Sequence, residues 1–388
     1  MNTTVPMIPV ARPLLGEDEA AAARRAILSG WVTQGPEGAA FEQEFAAAVG
    51  APHACAVSSC TTALHLALLA CSVGPGDEVV TVSHSFIATA NAVRYCGATP
   101  VFVDIEPGTF NIDPGLIDAA ITARTRAIVV VHQLGMPCDL ASILPIAERR
   151  GIPVIEDAAC AAGSEIRWQG EWQRIGRPHG RIACFSFHPR KLLSTGDGGM
   201  LTTADPALNR TFRLLRQHGM SVPDVVRHTA SQVVFEDYPV LGFNYRLTDI
   251  QAAIGREQLK RLSAIVTRRR ELAARYSASL SSGAGVAVPQ EPEWARTNWQ
   301  SYAIRVDPRH QREIMQRLLD LGIATRRGVM NAHREAAYRA GTWRAHGSLA
   351  RSEDAQDSSI VLPLFHQLSF GDQDRVIEAV IRVVDGLR

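Results

Sequence analysis

The chain has 388 residues, of which 46% are hydrophobic and 20% charged, so it can bury the cores of roughly two or three globular domains. Its 40 basic and 39 acidic residues give a formal net charge of +1, which argues against a nucleic-acid binder with a strongly basic surface. No apolar stretch approaches the roughly 20 residues of a membrane helix, and the first residues lack the regions of a signal peptide. We expect a cytoplasmic protein that binds neither nucleic acid nor membrane.

The cysteine pattern predicts neither disulfides nor a metal site. The seven cysteines all fall in the first half of the chain, their number is odd, and no two are spaced as CxxC. Disulfide frameworks are typical of shorter secreted chains, and a zinc site needs cysteines and histidines clustered at ligand spacing. We expect small buried thiols in a reducing compartment.

In chain order, two amphipathic helices are predicted first, over residues 17–30 and 38–50, each ending in a glycine. Between residues 50 and 205, apolar runs typical of buried strands alternate with helical segments. The runs are 53–59, 78–82, 99–105, 126–132, 153–157, 182–187 and 199–203. Such alternation indicates an α/β domain with a mostly parallel sheet sandwiched by helices.

A long helix is predicted over residues 248–280, where it can bridge to a smaller C-terminal α+β domain. The elements predicted for that domain are one strand and two helices, at 301–306, 309–322 and 372–387. We predict two domains. Residues 1–250 form the large domain with its N-terminal helices, and residues 251–388 form the bridging helix and the small domain.

Polar residues follow two of the predicted strands. The first strand leads into Ser58-Ser59-Cys60-Thr61-Thr62 at the start of a helix. Hydroxyl and N–H groups there can bind a phosphate, or one side chain can simply cap the helix. Asp157 ends another strand and can be a metal ligand, a helix cap or an acceptor for a protonated ring nitrogen.

Lys191 stands out because 38 of the 40 basic residues are arginine and only Lys191 and Lys260 are lysine. A position that keeps lysine can need an amine that loses its proton and attacks a carbonyl, which arginine cannot do. Lys260 lies in a charged helical stretch typical of a solvated surface. Lys191 instead follows a buried strand and Ser186 and precedes a glycine-rich turn, which favours a Schiff-base lysine beside a phosphate-binding hydroxyl.

Together these groups match the needs of pyridoxal phosphate (PLP). This cofactor requires a lysine for its aldehyde, a carboxylate for its pyridinium nitrogen and a cup of donors for its phosphate. We therefore predict PLP as the cofactor, converted to pyridoxamine phosphate during turnover. No G-x-G-x-x-G follows the first strand, which argues against a nicotinamide-dependent dehydrogenase.

The chain also resembles, nearly from end to end, the DegT/DnrJ/StrS family of fold-type I, PLP-dependent nucleotide-sugar aminotransferases. The matching blocks, in order, are IPVARPLLGEDE, SGWVTQGP, FEQEFAAAVGA, SSCTTALHLAL, SHSFIATANAV, EDAACAAGS, FSFHPRK, GDGGM, LRQHGM, GFNYRLTDIQAAIGREQL and LPLF. The resemblance implies a fold-type I transferase with a large PLP-binding domain and a smaller C-terminal domain.

The resemblance also implies roles for single residues. Lys191 would form the internal aldimine and move the proton between Cα and the cofactor carbon, while Asp157 pairs with the pyridine nitrogen. The residues implied to hold the phosphate are Ser186, Cys60, Thr61 and Thr62. Those implied to lie against the ring are Phe86 on one face and Ala159 on the other.

Asn244 resembles the residue that reaches the phosphate from the neighbouring subunit, which implies an obligate homodimer with two shared active sites. Two positions depart from the family pattern. Cys60 stands where much of the family has glycine, so this turn is not expected to need a glycine conformation. Cys160 stands where much of the family has a glutamine near the ring or the lysine, so we predict only that it lines the site.

Residues on the substrate side are predicted by the same resemblance, with interface packing or a solvated surface as the alternative. They are Trp31, Thr33, Gln34, His218, Tyr245 and Arg246, and two further residues, Arg326 and Arg327, are added from their chemistry alone. Arginine suits bidentate recognition of a phosphate or carboxylate, which is the reason for including the last two.

We expect an aminotransferase that moves an amino group from L-glutamate or another amino acid to a keto group of a nucleotide-linked sugar. The same chemistry on a cyclitol, an aminoglycoside precursor or another natural-product ketone or aldehyde is the alternative. A non-catalytic PLP-binding regulator is the alternative of another class, but Lys191 and Asp157 both remain, and no helix-turn-helix is appended.

Overall fold

The computed structural model of the chain describes residues 6–222, 227, 230–281, 285–339 and 341–387. Its helices are α1 (Glu17–Ser29), α2 (Pro36–Val49), α3 (Cys60–Ala70), α4 (Ala88–Tyr95), α5 (Pro114–Ala120), α6 (Leu140–Arg150), α7 (Pro206–Leu215), α8 (Asp249–Leu280), α9 (Gln311–Asp320), α10 (Ala350–Ser358) and α11 (Phe370–Asp385). Its strands are β1 (His53–Val57), β2 (Glu78–Val82), β3 (Thr99–Val103), β4 (Thr125–Val131), β5 (Val154–Asp157), β6 (Glu165–Trp168), β7 (Glu171–Arg174), β8 (Ile182–Ser186), β9 (Gly199–Thr203), β10 (Ala295–Arg296), β11 (Tyr302–Arg305), β12 (Arg326–Arg327), β13 (Arg344–Ala345) and β14 (Ser359–Leu362).

A mostly parallel sheet of eight strands forms the centre of the molecule, in the order β1-β9-β8-β5-β4-β2-β3-β13. From β8 to β13 all neighbours are parallel, whereas β9 runs antiparallel to both β1 and β8. The seven strands predicted between residues 53 and 203 are confirmed as β1 to β5, β8 and β9. The predicted α/β class with a mostly parallel sheet is confirmed as well.

Helices cover both faces of this sheet, which explains why its strands are continuous apolar runs. Successive residues of a strand point to opposite faces, and β2 shows this clearly. Val79 packs into a core that includes α3, α4 and α7. Val80 packs into the opposite core, with α2, α5 and α6. The sheet is therefore buried between two helical layers, and ligands can reach it only at the ends of its strands.

A second core forms around the antiparallel sheet β11-β14-β12. The end of α8 and the helices α9 and α11 pack on it, as Tyr276, Leu318 and Val380 show. The predicted strand and two helices are confirmed as β11, α9 and α11. Strand β14 is not predicted from the sequence, because it follows α10 directly, without a turn residue between them.

The hairpin of β6 and β7, extended by β10, is a separate three-stranded sheet that the sequence analysis also misses. Only one of the four residues of β6 is buried and none of β7 is, so these strands lack the apolar pattern of the main sheet.

The boundary near residue 250 stays a prediction. Thr248 caps α8, accepting a hydrogen bond from the Gln251 N–H, so the bridging helix begins where the sequence predicts. The chain nevertheless crosses between the two cores more than once. Ile8 forms a bridge with Ile323, and β13 joins the edge of the main sheet beside β3.

In the part of the chain that the structure describes, no helix is long and apolar enough to cross a membrane. The same residues contain no group of three or more side chains placed to hold a metal ion. All seven cysteines are free thiols.

Candidate active site

The candidate site lies at the carboxyl ends of the neighbouring strands β5 and β8, beside the N-terminus of α3. Asp157 ends β5 and Ser186 ends β8. Gly199 pairs with Ser186, and a Cβ on it would lie 2.5 Å from the backbone of Ser59 and 2.7 Å from the Cys60 nitrogen. A glycine at this position therefore lets α3 begin directly beside Ser186.

Asp157 is a buried carboxylate, only 5% exposed. Its Oδ2 accepts a hydrogen bond from Thr89 Oγ1 at 2.7 Å, and its Oδ1 accepts one from the Ala159 N–H at 3.2 Å. Burial raises the pKa of Asp157 above its ordinary value, although the two hydrogen bonds partly offset the rise. A carboxylate in this setting can hold a proton on a ring nitrogen that faces it.

Thr89, which orients the Asp157 carboxylate, is not predicted from the sequence. Because the Thr89 hydroxyl donates to Asp157, the hydroxyl of Ser85, 2.7 Å away, donates to Thr89 in turn. The available signal is position. Thr89 lies about one turn after Phe86 in the same SFIATAN motif, at the start of α4 and at the same edge of the sheet.

The N-terminus of α3 contains both a helix cap and free donors. The Ser59 hydroxyl accepts a hydrogen bond from the Thr62 N–H at 3.2 Å, and the Thr62 hydroxyl accepts one from the Ser59 N–H at 3.1 Å. The Cys60 and Thr61 N–H groups donate to no other described residue. They therefore remain available for an anion, as is usual in the first turn of a helix. The Thr62 hydroxyl serves the cap, and its contact with a phosphate stays a prediction.

Lys191 lies in the loop between β8 and β9, and its Nζ donates to Cys160 Sγ at 3.0 Å. Burial by itself would lower the pKa of the Lys191 amine. The hydrogen bond to Cys160 and the nearby carboxylate of Asp157 outweigh this effect, so the pKa lies above its ordinary value. The amine of Lys191 and the carboxylate of Asp157 are thus close enough for each to affect the pKa of the other.

The two cysteines that depart from the family pattern both lie beside these two groups. Cys60 is the first residue of α3, and it does not have a left-handed backbone, in agreement with the expectation for this turn. Its Sγ lies 3.5 Å from the Cys184 carbonyl oxygen and 4.0 Å from Asp157 Oδ1. Burial raises the pKa of the Cys60 thiol well above its ordinary value.

Phe86 and Ala159 lie where a flat ring could be held. Phe86 follows β2, and 61% of its surface is exposed, which is unusual for a phenylalanine beside a buried cluster. Ala159 is half-buried, two residues after Asp157. Stacking on the two faces of a ring stays a prediction for both.

Residues 242–246 lie beside α3. Tyr245 accepts a hydrogen bond from the Ser58 N–H through its carbonyl oxygen, and its hydroxyl lies 3.2 Å from His65 Nδ1. Asn244 is exposed, and its Oδ1 accepts from Arg246 Nε at 3.2 Å. The roles of these three residues toward a substrate or a partner subunit stay predictions.

The remaining substrate-side predictions are spread over three elements. Trp31, Thr33 and Gln34 lie in the loop before α2, and the Thr33 carbonyl oxygen accepts from the Asp249 N–H at 2.8 Å. His218 is exposed with a left-handed backbone, φ +64°. Arg326 and Arg327 form the exposed strand β12 of the small sheet.

These groups fit PLP. Lys191 offers a primary amine, the buried Asp157 offers an oriented carboxylate, and the free N–H groups of α3 lie beside the Ser186 hydroxyl as donors for a phosphate. Each of the three chemical parts of the cofactor has a matching group at one edge of the sheet.

The comparisons with known proteins agree with this geometry. Residues 13–381 match the model of the DegT/DnrJ/EryC1/StrS aminotransferase family. The spore coat polysaccharide biosynthesis protein SpsC of Bacillus subtilis (strain 168) is 38% identical over 384 residues, which cover 98% of this chain and 97% of SpsC.

Among solved structures, the aminotransferase TlmJ from Streptoalloteichus hindustanus is 36% identical, with a TM-score of 0.90 over 98% of this chain and 100% of that one. Spr1654 from Streptococcus pneumoniae is 27% identical in its PMP form, with a TM-score of 0.91 and the same coverage, and it has also been solved in a PLP form.

Proposed function

This chain belongs to the DegT/DnrJ/EryC1/StrS aminotransferase family, and from that premise we propose that it transfers an amino group from L-glutamate to a keto group of a nucleotide-linked sugar in the cytoplasm. The family assignment makes the chain a PLP-dependent sugar aminotransferase. The donor, the acceptor and the residues that act on them are the proposal.

The observation that carries the proposal is the position of Lys191 Nζ, within the same buried cluster as the Asp157 carboxylate and next to the open N-terminus of α3. PLP, when bound, condenses with amines and withdraws electrons from the neighbouring carbon. Lys191 Nζ would hold the cofactor and then carry the proton from one carbon to the other.

The other residues bind and orient. The Asp157 carboxylate would keep the proton on the ring nitrogen, because Thr89 and Ala159 already hold both of its oxygens in place. The Cys60 and Thr61 N–H groups would bind the phosphate together with the Ser186 hydroxyl. Phe86 would cover one face of the ring and exclude water from it.

A sugar acceptor is supported by the printed role of SpsC in polysaccharide biosynthesis. PseC of Helicobacter pylori, 25% identical, gives the same support, because it is an aminotransferase of pseudoaminic acid biosynthesis. Trp31, Thr33, His218 and Arg326 are the residues that we propose for contacts with the sugar or its nucleotide.

We further propose a homodimer in which Asn244 completes the partner's phosphate site. The segment before Asn244 exposes large apolar side chains, with Phe235 and Leu241 each 88% exposed and Val233 85% exposed. Several large apolar side chains exposed within one short segment favour an interface over a free surface. A second copy of the chain would cover this segment.

The first test is the visible absorption spectrum of the protein with PLP, before and after excess L-glutamate. A yellow band that glutamate bleaches would support the cofactor attachment and the donor together, and Lys191→Ala should lack that band. A band that glutamate leaves unchanged would overturn the donor, and L-glutamine would be tried next.

The acceptor needs its own experiment. The aminated form of the enzyme is mixed with nucleotide-linked keto-sugars, free keto-sugars and keto-cyclitols, and the products are identified by mass spectrometry. Return of the yellow band only with the nucleotide-linked compounds would support the proposal. Return with a cyclitol instead would overturn the acceptor while leaving the aminotransferase reaction intact.

A further inference from the structure

A buried tripeptide, Asn298-Trp299-Gln300, connects the small domain to the loops that carry Cys160 and Lys191. Asn298 is fully buried. Its Nδ2 donates to the Cys160 carbonyl oxygen at 2.8 Å and to that of Ala162 at 2.9 Å, while its Oδ1 accepts from the Gln300 N–H at 2.8 Å. Both donors of this amide are therefore used on the loop that carries Cys160, and its oxygen holds the Gln300 backbone.

Gln300 holds the second loop. Its Nε2 donates to the carbonyl oxygen of Arg190 at 2.6 Å, and Arg190 immediately precedes Lys191. Two side chains that are two residues apart thus fix the backbone at Cys160 and at Lys191, which are 31 residues apart in the sequence.

The tripeptide is itself held in place from α8. Trp299 has a left-handed backbone, φ +52°, a conformation that costs energy for a bulky residue and persists only where its surroundings enforce it. The buried Arg269 donates from Nε to the Trp299 carbonyl oxygen at 2.8 Å and from its terminal nitrogen to that of Gln300 at 2.7 Å. Burial lowers the pKa of Arg269 to about 9. A buried guanidinium that donates to two backbone carbonyl groups indicates that the backbone of Trp299 and Gln300 is held in one fixed position.

We propose that Asn298 and Gln300 are positioning residues for Lys191. They hold the two loops so that the Cys160 thiol accepts a hydrogen bond from the lysine amine whenever that amine is not attached to the cofactor. The proposal rests on the role proposed for Lys191 above. The distance that the two side chains set is the 3.0 Å between Lys191 Nζ and Cys160 Sγ. The contact keeps the free amine in place, so that it can return to the cofactor.

The charged groups around the amine fix the sign of the expected effect. Cys160 approaches from the loop after β5, Cys60 from α3 and Asp157 from β5. The hydrogen bond to Cys160 and the Asp157 carboxylate raise the pKa of Lys191 against the effect of burial, whereas the Cys60 thiol, whose own pKa is raised, stays neutral. His188 lies in the same loop as Lys191, and its pKa is lowered by burial first and then by the charges of Arg190 and Lys191. Losing the Cys160 contact should therefore lower the pKa of the amine.

The test follows the attachment of PLP to the full-length protein stripped of cofactor, by absorbance, as a function of pH. Only the unprotonated amine attacks the aldehyde, so the midpoint of the rate profile reports the pKa of the amine. We expect Gln300→Met and Cys160→Ala each to move this midpoint down by about one pH unit. If Gln300→Met does not fold, Gln300→Leu takes its place, since it also removes the donor and adds no charge.

Gln373→Met is the matched control. Gln373 is fully buried in the small domain, and its Nε2 donates to the Leu272 carbonyl oxygen at 2.7 Å, a bond of the same kind as that of Gln300. Gln373→Met should lower the stability of the fold without moving the midpoint of the rate profile. Equal midpoints for Gln300→Met and the wild type, or equal shifts for Gln300→Met and Gln373→Met, would overturn the proposal.

The double variant Cys160→Ala/Gln300→Met separates the thiol contact from other effects. If Gln300 acts through the thiol, the double variant should have the same midpoint as Cys160→Ala alone. A further shift of the same size would overturn the proposal. Lys191→Ala tests the role of Lys191 separately from the positioning role of Asn298 and Gln300. Attachment of PLP at the wild-type rate in that variant would overturn the role of Lys191 itself.

Discussion

At the scale of single residues, the chemistry of the candidate site depends on side chains far apart in sequence. Lys191 and Asp157 can be predicted from the sequence, because one is a rare lysine after a buried strand and the other ends a strand. Thr89 cannot be predicted in this way, because its role arises from a partner 68 residues away. Asn298 is 138 residues from Cys160, and nothing in its own neighbourhood indicates that contact.

Thr89→Val should impair catalysis while the protein still folds. The change is nearly isosteric and removes the 2.7 Å hydrogen bond to Asp157, and such a bond to a charged group is worth about 1.5–3 kcal/mol. We expect kcat to fall by about 10- to 100-fold. The hydrogen bond from Thr89 lowers the pKa of Asp157, so removing it should raise that pKa. The acid limb of the pH profile should therefore move to higher pH.

Thr81→Val is the control for this change. Thr81 is buried in β2, and its hydroxyl has no hydrogen-bond partner among the described residues, so its loss should leave kcat and the pH profile unchanged. If both variants kept wild-type kcat, Thr89 would have no part in orienting the carboxylate.

At the scale of elements, the sequence predicts best where one physical pattern decides the structure. The strands of the main sheet are buried on both faces, so their apolar runs mark them, and α8 begins at a threonine cap that the sequence contains. The pairs β6–β7 and β12–β14 are missed because strands with a polar face, or only two residues long, are defined by their partners. Long-range pairing of this kind leaves little local signal.

Asp249 joins two elements, and its loss should be costly. This buried residue begins α8, but its carboxylate caps α2, accepting from the N–H groups of Gly35 at 2.7 Å, Glu37 at 3.0 Å and Gly38 at 2.9 Å. Asp249→Ala leaves two buried donors and one partly buried donor without a partner, so we expect a loss of about 2–4 kcal/mol in the free energy of unfolding, measured in urea.

Asp205→Ala is the matched control, because it removes a helix cap of the same kind. Asp205 caps α7 through the Ala207 and Leu208 N–H groups, but this site faces solvent, and water can replace the carboxylate. Asp205→Ala should therefore lower the free energy of unfolding clearly less than Asp249→Ala does. Equal losses would mean that burial does not set the cost of removing the Asp249 cap.

At the scale of the whole molecule, a buried ionic network joins three elements of the large domain. Glu42 of α2 accepts a hydrogen bond from the Ala56 N–H of β1 at 2.9 Å and pairs with Arg213 and Arg216 at the end of α7. Burial alone would raise the pKa of Glu42, but the two guanidinium groups outweigh it and hold the pKa below its ordinary value of 4.5. The network therefore stabilises the fold only while Glu42 is ionised.

This network predicts how stability depends on pH. Because the pKa of Glu42 is lower in the folded state, its stabilising contribution is complete above about pH 5 and is lost as the pH falls through the folded-state value. Glu42→Gln should lower the free energy of unfolding by about 3 kcal/mol at pH 7, and by progressively less below pH 4.5. In the exposed pair of Arg150 and Asp118, Asp118→Asn should change stability little at any pH. A loss for Glu42→Gln that stays constant from pH 7 to pH 3 would contradict this account.

The proposed homodimer makes a prediction that depends on which subunit supplies each residue. Lys191→Ala and Asn244→Ala should each be nearly inactive alone. If Asn244 acts across the interface, a mixed dimer contains one site with Lys191 from one subunit and Asn244 from the other, and therefore one intact site. Random mixing of equal amounts, after unfolding and refolding together, should restore about a quarter of wild-type activity. If Asn244 served its own subunit, every site in the mixture would carry one of the two defects and no activity would return.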